Sequence, residues 1–209
     1  MSQRQTFIDG EGDRWFERNR QFLSHGDDAV TEAVVALQRD FRSILEIGAS
    51  NAHRLDALTR TFDATGAGID PSRAAVEAGR SAYPDLTLKV ATADDLPFTD
   101  ASFDLVVVGF CFYLVDPVLH FRAVREADRV LDDGGTLIIF DFLAPQPYAN
   151  DYAHAAGLRS HKMDISRYFT ASPGYTLVSR RLKVLGEGVP SVDDRITVDV
   201  LTKARTQIS

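Results

Sequence analysis

The chain has 209 residues, 44% of them hydrophobic and 25% charged, which is ordinary for a soluble globular protein and enough to bury a core of its own, so a single domain over residues 1–209 is expected. Acidic residues outnumber basic ones 30 to 23, for a net charge of −7, a balance that speaks against nucleic acid or an anionic membrane as the main partner. The lone cysteine, Cys111, excludes an intrachain disulfide, and with neither an apolar leader nor a membrane-length run the expected setting is the cytoplasm.

Residues 1–12 are polar and contain glycine, and read as mobile. Helices are expected at 13–24, with Phe16, Phe22 and Leu23 on its apolar side, and at 27–41, with Val30, Val34, Leu37 and Phe41. From residue 43 the pattern alternates. Strands are expected at 43–47, 65–69, 86–90, 103–109 and 135–142, and helices near 51–62, 72–82 and 117–131. Asp70-Pro71 and Asp116-Pro117 each read as a cap acceptor followed by a proline at the first helical position. Asp132-Asp133-Gly134-Gly135 closes the third of these helices and turns into the next strand. Alternating strands and helices predict an α/β, doubly wound parallel sheet. Residues 175–185 and 195–205 are strand-like and separated by a polar turn, Gly186–Asp194, so they should pair as an antiparallel hairpin.

The run Ile44-Leu45-Glu46-Ile47-Gly48-Ala49-Ser50-Asn51-Ala52 reads as a buried strand ending in an acid and a turn of small residues, with a helix directly after it. Gly68-Ile69-Asp70-Pro71-Ser72 follows, placing Asp70 at the carboxyl tip of the neighbouring strand. An acid about 20 positions beyond such a turn is placed to bind ribose hydroxyls, which points to an adenosine-containing cofactor. Glu46, Gly48, Asp70, Ala93 and Gly109-Phe110 all fall at or just after predicted strand ends, where open parallel sheets bind ligands.

Five segments, in order, resemble the class I S-adenosylmethionine-dependent methyltransferases. They are the first turn, Glu46-x-Gly48-x-Ser50-x-Ala52; the segment Gly68–Ser72; the loop Ala91-Thr92-Ala93-Asp94-Asp95-Leu96-Pro97-Phe98; the strand start Ser102-Phe103-Asp104-Leu105-Val106; and Arg129-Val130-Leu131 with Gly134-Gly135 and Leu137-Ile138. The first turn departs from the family, which has glycine where this chain has Ser50 and Ala52. The resemblance implies a Rossmann-like sheet of seven strands, mostly parallel, with the C-terminal antiparallel hairpin at one side. It implies that S-adenosylmethionine is held by Glu46 at its cationic amino end, by the backbone of Gly48, Ala49 and Ser50, by Asp70 and Pro71 at the ribose, and by Gly109 and Phe110 near the end of the fourth strand. At the adenine the family's usual acid aligns with Thr92, which leaves open whether Thr92, the backbone of Ala93 or Asp94 serves there. Asp104 starts a strand and reads as structural.

On this reading residues 43–142 form the cofactor core and residues 1–42 a helical cap, with Trp15 and Phe16 either an aromatic lid or ordinary packing. Residues 143–209 form the acceptor side. Within them the Tyr, His and Pro content of residues 143–174, ahead of the hairpin, suits a polar small-molecule acceptor, a sugar or an aromatic metabolite, with Tyr148 and Tyr152 in its wall and His154, His161 or Tyr113 as candidate bases. The histidines show no ligand spacing with cysteine or acid, so no metal is expected. Three other readings compete. A nicotinamide enzyme would need a third glycine where His53 stands. A serine hydrolase would use Ser50 as nucleophile with Asp141 and His154. A binding module without turnover would keep the cofactor and lack the chemistry.

Overall fold

A computed structural model describes residues 2–23, 28–171, 173–184 and 192–205. Seven strands form one sheet in the order β3-β2-β1-β4-β5-β9-β8: β1 (Ser43–Ile47), β2 (Thr65–Asp70), β3 (Thr87–Val90), β4 (Phe103–Gly109), β5 (Leu131–Phe142), β8 (Tyr175–Val184) and β9 (Arg195–Lys203). The first five pair in parallel. β9 is antiparallel both to β5 and to β8, so the last strand in sequence is the one reversed strand in the sheet. The expected hairpin is present; most of its expected turn, residues 186–191, lies outside the described residues.

The alternation of side chains along β1 shows why the sheet is covered on both faces. Leu45 and Ile47 pack with Val106, Val108 and Leu137 against α6 (His120–Val130). Ile44 joins Leu105, Val107 and Ile138 against Val30 and Val34 of α3 (Ala29–Val35), Leu55 and Leu58 of α4 (His53–Phe62) and Val76 of α5 (Arg73–Ala82). α3 stops short of the expected residue 41 because Leu37 and Gln38 turn back onto the carbonyls of Val34 and Val35, with Gln38 at φ 49°. Ahead of α6, Pro117–Leu119 form a 3-10 turn rather than a first helical turn.

Both cap-then-proline expectations need correction. The cap of α5 is Ser72, whose hydroxyl accepts from Ala75 N at 3.0 Å, while Asp70 accepts from Ser72 N at 2.8 Å. The Asp116 carboxylate accepts from Arg4 N at 3.0 Å and caps nothing in α6. In each case a tertiary donor takes up the carboxylate; Ser72 supplies the cap of α5, and α6 starts without a side-chain cap.

Residues 3–11, expected to be mobile, are helical. They form α1 (Gln3–Thr6) and the turn Phe7–Glu11, which kinks at Gly10 (φ 132°) before α2 (Gly12–Asn19). Gln3, Phe7, Glu11 and Gly12 are buried. Gln3 Nε2 donates to Leu114 O at 2.6 Å and Arg159 O at 2.9 Å, and its Oε1 accepts from Arg159 N at 2.8 Å. Beyond β5, a second small sheet pairs β6 (Tyr148–Asp151) with β7 (Arg159–Lys162), followed by α7 (Ser166–Thr170).

Asp104 joins the start of β4 to the start of β1, accepting from Arg42 N at 2.8 Å and Ser43 N at 3.0 Å. Asp104→Ala should therefore lower stability in urea unfolding by about 1–2 kcal/mol, the loss of two backbone hydrogen bonds to a half-exposed acceptor, and should leave ligand affinity at the distant carboxyl ends of the strands unchanged.

Candidate active site

Strand order reverses between β1 and β4, which opens a crevice beyond their carboxyl ends. The turn after β1 is held down by β2: Gly48 N and Ala49 N both donate to Ile69 O at 2.9 Å. Gly48 has φ +78°, and a Cβ there would lie 2.7 Å from that of Cys111, so no other residue fits. Ser50 and Ala52, at φ 49° and 62°, adopt the left-handed conformation that glycine takes without strain, at a cost of roughly 1–2 kcal/mol each. Asp70 holds this turn in place. Its Oδ2 accepts from Ser50 N at 2.9 Å and its Oδ1 from Ser72 N at 2.8 Å. Burial pushes this carboxyl up to about 6 against the pull of the two amides, with Asp13 adding to the rise.

Below the turn, Glu46 is buried at the end of β1. Its Oε1 accepts from Arg54 Nη1 at 2.7 Å, and Arg54 Nε donates to both oxygens of Asp28 at 3.1 and 3.0 Å. The guanidinium also lies 5.2 Å from the Phe140 ring centre. Burial raises the Glu46 carboxyl against the attraction of Arg54. Its second oxygen is buried without a hydrogen-bond partner among the described residues, and so is the Ser50 hydroxyl. Buried polar atoms of this kind are expensive unless a ligand or solvent meets them. A Cβ on Gly109 would come within 2.8 Å of Glu46 Oε1, so the end of β4 stays open beside the acid.

The loop after β3 is clamped from α6. Glu126 accepts from Leu96 N at 2.9 Å, and Arg129 donates to Leu96 O at 3.1 Å and Phe98 O at 2.8 Å. On the far side, Asp141 accepts from Phe112 N at 2.9 Å and Phe142 N at 2.8 Å. Burial raises it to about 7 despite the surrounding backbone amides.

Together these loops bound a cleft of about 800 Å³, measured out to its open mouth. Of the expected cofactor residues, Gly48, Ser50, Asp70, Pro71, Thr92, Ala93, Asp94, Gly109 and Phe110 line it. Glu46 and Ala49 lie buried behind that surface. The N-terminal segment forms the roof. Asp13 accepts from Ser72 Oγ at 2.7 Å and Ala74 N at 3.0 Å, and Gly12 sits so close to Ser72 that a Cβ would lie 3.1 Å from its nitrogen. Trp15 lines the cleft, and its Nε1 donates to Tyr113 Oη at 3.3 Å. Phe16 is buried away from it. Glu11 is buried yet held below the usual carboxylate range: burial opposes ionisation, but Arg14 and Arg18 pair with it at 2.8 and 2.6 Å.

The remaining candidates stand outside the cleft lining. Tyr113 packs against Phe110 and Phe142 beneath the roof, and burial raises its hydroxyl pKa. His161 stands edge-on to buried His120 and is lowered by burial. His154 is exposed beside Tyr152. Tyr152 accepts from Arg18 at 2.9 Å, and Tyr148 donates to Asp193 at 2.6 Å. Ser50, Asp141 and His154 do not come together: the serine hydroxyl has no hydrogen-bond partner among the described residues, and Asp141 is taken up by backbone amides. Sequence reasoning missed Arg4, Phe7, Leu114, Val115, Asp116 and Leu119, all of which line the cleft. For Phe7 a signal existed: Gln3, Phe7 and Glu11 recur every four residues, but only one of them is apolar. Among the described residues no group of His, Cys, Asp and Glu is placed to hold a metal ion, and no helix is long and apolar enough to cross a membrane.

Residues 45–139 match the methyltransferase domain model. The demethylmenaquinone methyltransferase of Tropheryma whipplei is 34% identical over 111 residues, covering 50% of this chain and 44% of that protein. An uncharacterised methyltransferase of Bacillus subtilis is 28% identical over 134 residues, covering 62% and 52%. The chain thus spans about half the length of the curated relatives it matches. In fold it is similar to the 1,6-didemethyltoxoflavin-N1-methyltransferase of Burkholderia thailandensis, solved with S-adenosylhomocysteine, at a TM-score of 0.70 and 16% identity over 96% of this chain and 87% of that one. With its reversed last strand and its acid-tipped strands, the chain has the Rossmann-like fold of the class I S-adenosylmethionine-dependent methyltransferases, and over residues 45–139 it is similar to them in sequence.

Proposed function

We propose that this chain transfers the methyl group of S-adenosylmethionine to a small molecule. The observation that carries the reading is the placement of acids at successive strand ends around one cleft: Glu46 buried behind its surface at the end of β1, with Asp70 at the tip of β2 and Asp94 just beyond β3 in its lining. An elongated ligand with a cationic amino end, a ribose and a purine matches that order. The oxygens of Glu46 and Ser50 that have no partner among the described residues suit the amino end. Asp70 has lone pairs left for ribose hydroxyls after accepting from Ser50 and Ser72. Thr92, Ala93 and Asp94 bound the adenine end.

S-adenosylmethionine supplies a methyl group already activated on a sulfonium, so the protein's task is to hold the acceptor in line and to keep water out. Trp15 and Phe7 in the roof and Phe110, Leu114 and Leu119 in the wall suit exclusion of water. They favour the aromatic half of the expected acceptor class over a sugar. The quinone acceptor named for the Tropheryma whipplei relative agrees with that preference. With His154 and His161 outside the lining, we assign transfer to alignment rather than to a histidine base; Tyr113, beneath Trp15, is the candidate nearest the roof.

Calorimetry should show saturable one-to-one binding of S-adenosylhomocysteine to the folded protein; no heat and no thermal shift at millimolar ligand would overturn the proposal. Asp70→Ala should weaken that binding by about 1.5–3 kcal/mol, the worth of hydrogen bonds to a charged acceptor, whereas Asp104→Ala should not.

The affinity should also depend on pH. Asp70 is raised to about 6 and Glu46 is raised as well, and both hold the ligand as carboxylates, so affinity should climb as pH rises through this range. Asp70→Asn should lose the lower part of the climb, and an affinity flat from about pH 5 to about pH 8 would contradict the assignment.

Because Trp15 is the only tryptophan and lines the cleft, saturating S-adenosylhomocysteine should change its emission. It should also protect residues 5–22 from proteolysis. Unchanged emission and cleavage would reduce the roof to ordinary packing.

A further inference from the structure

We propose that Arg4, on the N-terminal roof, completes the adenine subsite as the donor that reads the purine ring nitrogens; the inference rests on the cofactor reading given above. Arg4 Nε donates to Thr92 Oγ1 and to Asp94 Oδ1, both at 3.1 Å, so the residue engages both side chains that bound the adenine end. Asp94 is only 3% exposed. Its other oxygen lies 4.0 Å from Arg122 Nε, on a side chain that is 60% exposed. Arg4 is therefore the close counter-charge of this buried carboxylate.

The chemistry of the base explains why a donor is needed. Thr92 and Asp94 can accept from an exocyclic amino group, but a purine also presents acceptor nitrogens on its ring, and carboxylate oxygens repel these. A guanidinium has five N–H donors in a planar fork. The Nε of Arg4 is committed to Thr92 and Asp94, while its two terminal nitrogens have no hydrogen-bond partner among the described residues and the side chain lines the cleft. They supply the missing donors, and the flat face of the fork can stack on the base.

The backbone is placed for this role. Arg4 N is bound to Asp116 Oδ2 at 3.0 Å, and the adjacent Gln3 is fixed by the Leu114 carbonyl and by both backbone groups of Arg159. The base-reading donor thus belongs to the same segment as Trp15. Occupation of the adenine end and closure of the roof are then one event.

The test is calorimetry of wild type, Arg4→Ala and Arg4→Lys with S-adenosylhomocysteine and with its inosine analogue, in which the amino group becomes a carbonyl and a ring acceptor becomes a donor. Thermal melts run alongside as a check on folding. Arg4→Ala should lose roughly tenfold or more in affinity for S-adenosylhomocysteine, and its preference over the inosine analogue should shrink. Arg4→Lys keeps the charge beside Asp94 but not the fork, and should recover only a small part of the loss. Chymotrypsin should cleave the N-terminal segment of Arg4→Ala faster at saturating ligand. If wild type binds but both variants bind within twofold of it with unchanged discrimination, Arg4 is only an ion-pair partner of Asp94 and the inference falls. If wild type itself does not bind, the cofactor reading falls first and takes this one with it.

Discussion

The site depends on one carboxylate. Asp70 accepts from the turn after β1 through Ser50 N and from the turn after β2 through Ser72 N, so a single side chain fixes two strand ends against each other. Ser72, set by that bond, caps α5 and also donates to Asp13, which brings the N-terminal segment down over the crevice. Chain entry into α4, the start of α5 and the position of the roof therefore share one origin. The strain of Ser50 and Ala52 at positive φ is sustained because Asp70 and the Ile69 carbonyl leave the turn no other conformation.

A second device lies beneath it. Arg54 is shared between Glu46 and Asp28, which ties β1, α4 and the start of α3 together. A buried arginine with two carboxylates is weak evidence for stability, because desolvation of the charges offsets much of their attraction. Its consequence is geometric: it fixes one oxygen of Glu46 and leaves the other without a hydrogen-bond partner among the described residues.

The sheet was readable from sequence because its signals are apolar and periodic. β1 and β4 were expected at the boundaries observed, Ser43–Ile47 and Phe103–Gly109, since both are near-continuous apolar runs between turn residues. The roof was not readable from residue 3 because polar side chains hold it: Gln3 on backbone groups, Asp13 on α5, Glu11 between two arginines. Hydrophobic periodicity is blind to such contacts. The β6–β7 hairpin escaped for a related reason, as Tyr148-Ala149-Asn150-Asp151 and Arg159-Ser160-His161-Lys162 carry no apolar alternation. Asp70 and Asp116 were misread as caps because a proline after an acid marks a local preference, and a tertiary donor claimed each carboxylate.

The position of β9 bears on how the sheet is assembled. The last described strand, β9, lies between β5 and β8, and β8 pairs with β9 alone, so the hairpin joins the sheet through β9 against the edge of β5. Until then β5 presents an unpaired apolar edge, which is the kind of surface that favours misassembly. A slipped register between β8 and β9 would misplace that pairing face, and Asp199 guards against it. It is 1% exposed, is held in a fork by Arg180 at 2.8 and 2.6 Å, and receives the Thr197 hydroxyl at 2.6 Å. A shift of β9 by one residue against β8 would turn this charge to the other face and strand it without its arginine, so the ion pair locks the register within the hairpin that closes the sheet.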